Sequence, residues 1–412
     1  MSDAALRDLE RAFALAPGDR ALGVQLARGL ARAGRRSEAF SLLEPATIPA
    51  ELWAAELERL EPVTVVPAPG VHAWRVALDL DQELLVWAAM DGSVHAASAT
   101  TGRALAPIQG VRPVSVNESA LRPARGRVFV WPDRWGPSLS CIEGDGAVVT
   151  ADLARTRVVR GGATGSTLGV EPTGGRVHLA TDAGNAILRW PTLEPLLERD
   201  AESVNPIVDW TTGHLVEPTV NRSKALETGL RVHPLDGSPS WQIPGPRPEV
   251  ARFDLARPGV ALVWGGFCLR LVGFVERWTI PLITWTAAER RGRPTPHASL
   301  ASDGRGVRLS LGGEVIRLEV DLAERRVVAA PPDLAQRSHV TSGYTGHGWH
   351  PHADVAHFGV DAGTELRDLA GRVLLRVPKN LSCNWTPDGR GLVVVPDIEG
   401  EPGRIEIWRA PP

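Results

Sequence analysis

Four of the chain's eleven histidines fall within eleven positions of the stretch GYTGHGWHPHADVAHFG, residues 343–359. Imidazole nitrogens are common metal ligands, so their spacing decides what such a cluster can do. On an extended strand His350 and His352 point the same way, about 7 Å apart, a separation suited to two ligands of one ion. His357 lies beyond the next turn. No helical pair of the H-E-x-x-H kind occurs, and no carboxylate motif accompanies the cluster. His350 and His352 are the metal candidates, set against a plainer reading in which histidines fill turn and strand positions of a structural repeat.

Other segments offer less chemistry. RGGATGSTLG, residues 160–169, is glycine-rich but lacks the lysine of a phosphate-binding loop, and no G-x-S-x-G nucleophile elbow is present. ERRGRPTPH places Arg290, Arg291 and Arg293 in one loop, where planar guanidinium forks suit phosphate or an acidic partner. WPDRWGPS sets Trp135 beside Arg134, residue types that concentrate binding energy at interfaces. These five side chains are the candidate partner contacts. A solvated loop is the plainer reading of the arginines, and packing inside the fold that of the tryptophan.

The chain has 412 residues, 43% of them apolar, with a formal charge of −3 and pI near 6.4. That composition supports a large core and gives no general attraction to nucleic acid or anionic membrane. The lysines are two, Lys224 and Lys379, which disfavours lysine-centred chemistry. Cys141, Cys268 and Cys383 are far apart and show no C-x-x-C spacing, so neither a disulfide framework nor a zinc knuckle is expected. Charges at Asp3, Arg7, Asp8, Glu10 and Arg11 interrupt any export signal at the start. Arg270 and two glycines break the most apolar window, GVALVWGGFCLRLVGF. The expectation is a cytoplasmic protein without membrane insertion or cofactor.

The elements that must position these residues come in two kinds. Over residues 1–62, leucines and phenylalanines recur at spacings of three and four, with starts at Ser2 and Asp19 and stops at Gly34 and Pro45, which predicts about four short helices. Within them DRALGVQLARGLARAGRRSEAFSLLEP resembles a tetratricopeptide repeat. Ala27, Gly34 and Ala39 stand where that family's paired helices touch, although its large aromatic early in the first helix is missing. One and a half such repeats cannot bury their own apolar face, and the linker is very short, so the helices should dock on the neighbouring domain.

From residue 63 onward, short apolar strands alternate with Gly, Pro and Asp turns. Aligning these units gives eight anchors, Leu85, Val128, Val177, Leu215, Val260, Val307, Ala356 and Leu392, spaced as four-stranded propeller blades are. The expected fold is mainly β: a closed β-propeller of eight blades, or seven if one anchor is misread, over residues 63–412. The strand at 63–67 should close the ring by pairing in the last blade, with the helices as a small cap. WTPDGRGLVVV and GRIEIW, with Asp388 and Gly389 in the turn and Trp408 closing the third strand, resemble a blade of the WD40 and TolB-like propellers. LASDGRGVRLSLGGEVIRLEV is a second match, while the Gly-His and Trp-Asp dipeptides of WD40 blades are not regularly repeated. The resemblance implies a non-catalytic scaffold of a bacterial-type cytosolic system that binds proteins or peptides through loops and cap. The alternative is a propeller enzyme, or a small-molecule or metal binder, that uses the central channel.

Overall fold

The computed structural model describes all residues except 1–2, 106–107, 109–110, 112–119, 132–137, 154–166, 182–183, 201–205, 221–227, 246–249, 266–267, 285–296, 302–303, 312–313, 331–344, 361, 398–402 and 412. Apolar runs cut by left-handed glycines fold into eight antiparallel sheets, all but the last following chain order from a first strand to a third or fourth. The sheets are the blades of a propeller. Each anchor lies on the second strand of its blade, and all eight are buried. That position is covered on both faces, which is why strands such as Leu84–Ala89 are apolar throughout instead of alternating.

The first strands of neighbouring blades face one another, Val71–Asp79 to Ala120–Ala124 to Thr167–Val170, and Val250–Arg257 to His297–Leu300 to Thr345–Trp349. They therefore ring the central channel. Most apolar clusters lie between blades, as where Phe129, Trp131 and Leu139 of blade 2 meet Leu168, Leu179 and Leu188 of blade 3. Among the described residues, blade 1 has three strands and a bridge, Ala97 to Ala104, beyond the third.

Blade 8 takes strands Asn380–Trp385, Gly391–Pro396 and Arg404–Arg409 from the end of the chain and its fourth, Glu61–Pro67, from before blade 1. That fourth strand runs antiparallel to the third, from Glu61 opposite Arg409 to Pro67 opposite Arg404. Thr64 Oγ1 also donates to Thr100 O of blade 1 at 3.1 Å, which fastens the seam.

Four helices precede the ring: α1 (Asp3–Leu15), α2 (Arg20–Arg32), α3 (Arg36–Ser41) and α4 (Ala50–Leu57). Asp19 caps α2 by accepting from Ala21 N and Leu22 N, the N-terminal signal its position gives. Gly34, at φ +82°, ends α2 while Arg35 N donates back to Leu30 O, a left-handed stop that glycine adopts at little cost. Ala27 and Ala39 are fully buried where α2 meets α3. No described helix is long and apolar enough to cross a membrane.

Candidate functional site

The histidine-rich segment lies at the turn between the first two strands of blade 7, Thr345–Trp349 and Val355–Val360, where the cap meets the ring. His350 begins the turn and is fully buried. Its Nδ1 accepts from His352 N at 2.9 Å and Ala353 N at 2.7 Å, and its Nε2 is 2.8 Å from Gly389 O in the turn of blade 8. Amide groups only donate and a carbonyl only accepts, so the proton sits on Nε2 and the ring is neutral. Burial is the main cause of its depressed pKa, about 3; His352 and Arg308 add to the lowering, and the Gly389 bond and Asp388 oppose it.

Two other blades explain this placement. Asp79, six residues before the anchor Leu85, accepts from Gln82 N in its own turn and from Gly126 N in blade 2, at 2.9 Å to Oδ2. Asp209, six before Leu215, accepts from Thr211 N and Thr212 N, and from Gly259 N of blade 5 at 2.7 Å. His350 stands six before Ala356 and makes the same two-sided clasp, holding its own turn and the glycine turn of the next blade. Only the polarity of the far contact differs. A carboxylate needs a donor there, whereas the imidazole offers its N–H to a carbonyl.

The His350 and His352 ring centroids are 6.1 Å apart, but both nitrogens of His350 are occupied by the clasp. Among the described residues, no three His, Cys, Asp or Glu side chains gather in a metal-binding arrangement. His352 is half-buried and stacks at 6.0 Å on Trp53, a residue of α4, while His357 is buried in the second strand with Trp385 at 5.9 Å. Arg134 and Trp135, and Arg290, Arg291 and Arg293, lie outside the described residues.

Trp53 is the cap's anchor. It is 1% exposed and sits edge-on to Phe40 at 4.9 Å and to His350 at 4.5 Å. Around it the cap's Leu26, Leu30, Leu52 and Leu57 share one apolar cluster with Val355, Leu366, Leu392 and Trp408 of blades 7 and 8. Buried Glu56 accepts from Arg390 Nη2 at 3.1 Å, and the Arg390 guanidinium also lies over the Phe40 ring. Beneath the clasp Arg308, 2% exposed, donates to His350 O at 3.0 Å, to Ala353 O, to Ser299 Oγ and to Leu300 O, so one guanidinium ties blade 6 to the blade 7 turn.

A second buried polar chain had no recognisable spacing in the sequence. Asn185 of blade 3 donates to Glu217 of blade 4, whose other oxygen is 3.4 Å from His233 Nε2; His233 Nδ1 is 2.6 Å from Ser240 Oγ. The chain pins the exposed turn before strand Trp241–Gly245 to the blade interior.

The clasp makes a measurable demand on Gly389. Its φ is +71°, and a Cβ there would lie 2.7 Å from the His350 ring; Gly371, at φ +76°, has open space around it. Gly389→Ala is expected to cost about 2 kcal/mol or more and Gly371→Ala about 1 kcal/mol, the backbone share alone. Equal losses in denaturant unfolding would mean that the clasp places no demand on this glycine.

No family model matches the chain, and no curated protein matches it. Solved structures do. A computationally designed protein, Ika8, superposes with a TM-score of 0.55 at 11% identity, covering 85% of this chain and 99% of its own. A structure described as the eukaryotic initiation factor gives a TM-score of 0.52 at 11% identity, covering 84% of this chain and 87% of its own. At that identity the likeness is one of fold, and the fold is the eight-bladed β-propeller.

Proposed function

We propose that the protein is a non-catalytic interaction scaffold, a propeller with a fixed helical cap that binds protein or peptide partners in a bacterial-type cytosol. The observation that carries this reading is how the histidine segment is used. The residues with the most chemical promise hold blade to blade and ring to cap, which makes cap and ring one rigid support. Burial raises the Cys141 and Cys383 thiols to about 12, far from the reactive thiolate range, and the three cysteines are unbridged, which suits a reducing compartment.

The cap also supplies a surface. A groove of about 220 Å³ between α2 and α4 has Phe40 and Leu52 in its floor and Arg28, Arg32 and Arg36 along its sides. Arg28 is paired with Glu51 and Arg36 with Ala55 O; Arg32 has no partner among the described residues. Affinity capture from the native host, followed by reconstitution with the purified partner, tests the scaffold. A direct complex that Arg32→Glu weakens is expected, and failure to reconstitute any complex with the unaltered chain would sink the reading. A second reading, a small-molecule binder that uses the channel, is favoured by one cleft at the channel mouth.

A further inference from the structure

The ends of three successive inner strands, in blades 5, 6 and 7, enclose a cleft of about 350 Å³ on the channel rim that carries the blade 7 turn. That volume lies at the small end of the range for ligand pockets. Its walls are Leu300, Ala301, Trp349 and Pro351, and among the described residues no carboxylate lines it. At its edge stands exposed Arg257, which has no hydrogen-bond or ion-pair partner among the described residues. Its Nη1 lies over Gly304, 3.4 Å from where a Cβ would be.

Below the cleft the buried Arg308 guanidinium is fixed by carbonyls and stacked 5.1 Å from the Trp349 ring centroid. Asp354, 3.9 Å from Arg308 Nε, offsets part of that charge but also pairs with Arg317. The cleft therefore combines a positive field, one uncommitted planar donor fork and an apolar wall. A guanidinium in that state suits an oxyanion, which it can hold by two parallel charge-assisted hydrogen bonds.

We propose that this cleft binds a small organic oxyanion, a carboxylate or phosphate carried on a compact apolar body. Arg257 takes the charged group, and Trp349 and Pro351 take the body. The inference goes beyond the scaffold reading and stands on different residues, so either can fail alone.

Titration calorimetry of the full chain with phenyl phosphate, benzoate and neutral benzyl alcohol tests it. At least one of the two anions is expected to bind, and the one that binds identifies the charged group. Benzyl alcohol should bind about tenfold more weakly or not at all. Arg257→Gln, an exposed change that leaves the melting temperature unaltered, should weaken the anion about tenfold or more, and Arg257→Lys should recover part of the loss. Absence of binding by both anions, equal binding of benzyl alcohol, or anion binding unchanged in Arg257→Gln would each overturn the proposal.

Discussion

Trp53→Ala is expected to release the helical cap while leaving the eight sheets folded. The indole fills the space between Phe40, His350 and His352, and truncating a fully buried tryptophan costs about 3–5 kcal/mol. The cap cannot absorb that loss. Its helices run from 6 to 13 residues, below the length at which isolated helices persist, and its largest buried side chain is the one removed. Limited trypsin digestion should cut the variant at Arg20, Arg28, Arg32, Arg35 and Arg36 under conditions that leave the wild-type cap intact. The strand signal in circular dichroism should persist. A variant as protected as wild type would mean that the salt bridges of Glu56 to Arg390 and Glu58 to Arg372 hold the cap without the apolar contact.

The second large effect is acid sensitivity at the clasp. His350 is neutral in the fold, with a pKa near 3, while the same residue in the unfolded chain takes up a proton near 6.5. A base whose folded pKa is depressed contributes stability that is complete above the unfolded value and shrinks as pH falls. The loss runs at about 1.4 kcal/mol per pH unit between roughly 6.5 and 3. Protonation puts a hydrogen on Nδ1, which faces two backbone N–H groups, with the Arg308 charge opposing it and Asp388 favouring it only weakly. Buried His178, near 4, adds a contribution of the same sign.

His350→Asn separates this proton from the carboxylates that also titrate in acid. Its amide can accept from the two turn amides and donate to Gly389 O, but it does not ionise. The variant should be less stable than wild type at pH 7.5, because a ring is lost against Trp53, and the gap should narrow or reverse by pH 4.5. A gap that stays constant with pH would show that His350 does not titrate on unfolding in this range.

Blade number was legible because the central strand of every blade must be apolar on both faces. Leu85 through Leu392 therefore stand out as a ladder even where turns vary, and the structure has eight blades. The clasp was partly legible in retrospect. Asp79, Asp209 and His350 share one offset from their anchors, but a histidine in an aspartate's place reads first as a metal ligand. Its partner, Gly389, is 39 residues away, in the next blade. Arg308 and the Asn185–Glu217–His233–Ser240 chain were illegible for a different reason. Their contacts join different strands or cross to the next blade, as Arg308 does to His350 O and Asn185 to Glu217, and no local spacing encodes them. Trp53 was one of fourteen tryptophans until its place in the cap's apolar face was known.

The shared eighth blade sets an order of events during synthesis. Strand Glu61–Pro67 and the cap beside it leave the ribosome roughly 300 residues before the surfaces that cover them, which belong to blades 7 and 8. Arg59 donates to Pro411 O across 352 residues. At roughly 5–20 residues per second, the early helices and their strand wait about 20–70 s for a partner. Throughout that interval Trp53, Phe40 and an unpaired strand edge are open to solvent. The cap and its strand thus emerge well before the blades that cover them, and over that interval they are open to aggregation and to chaperone capture until blades 7 and 8 arrive to close the ring.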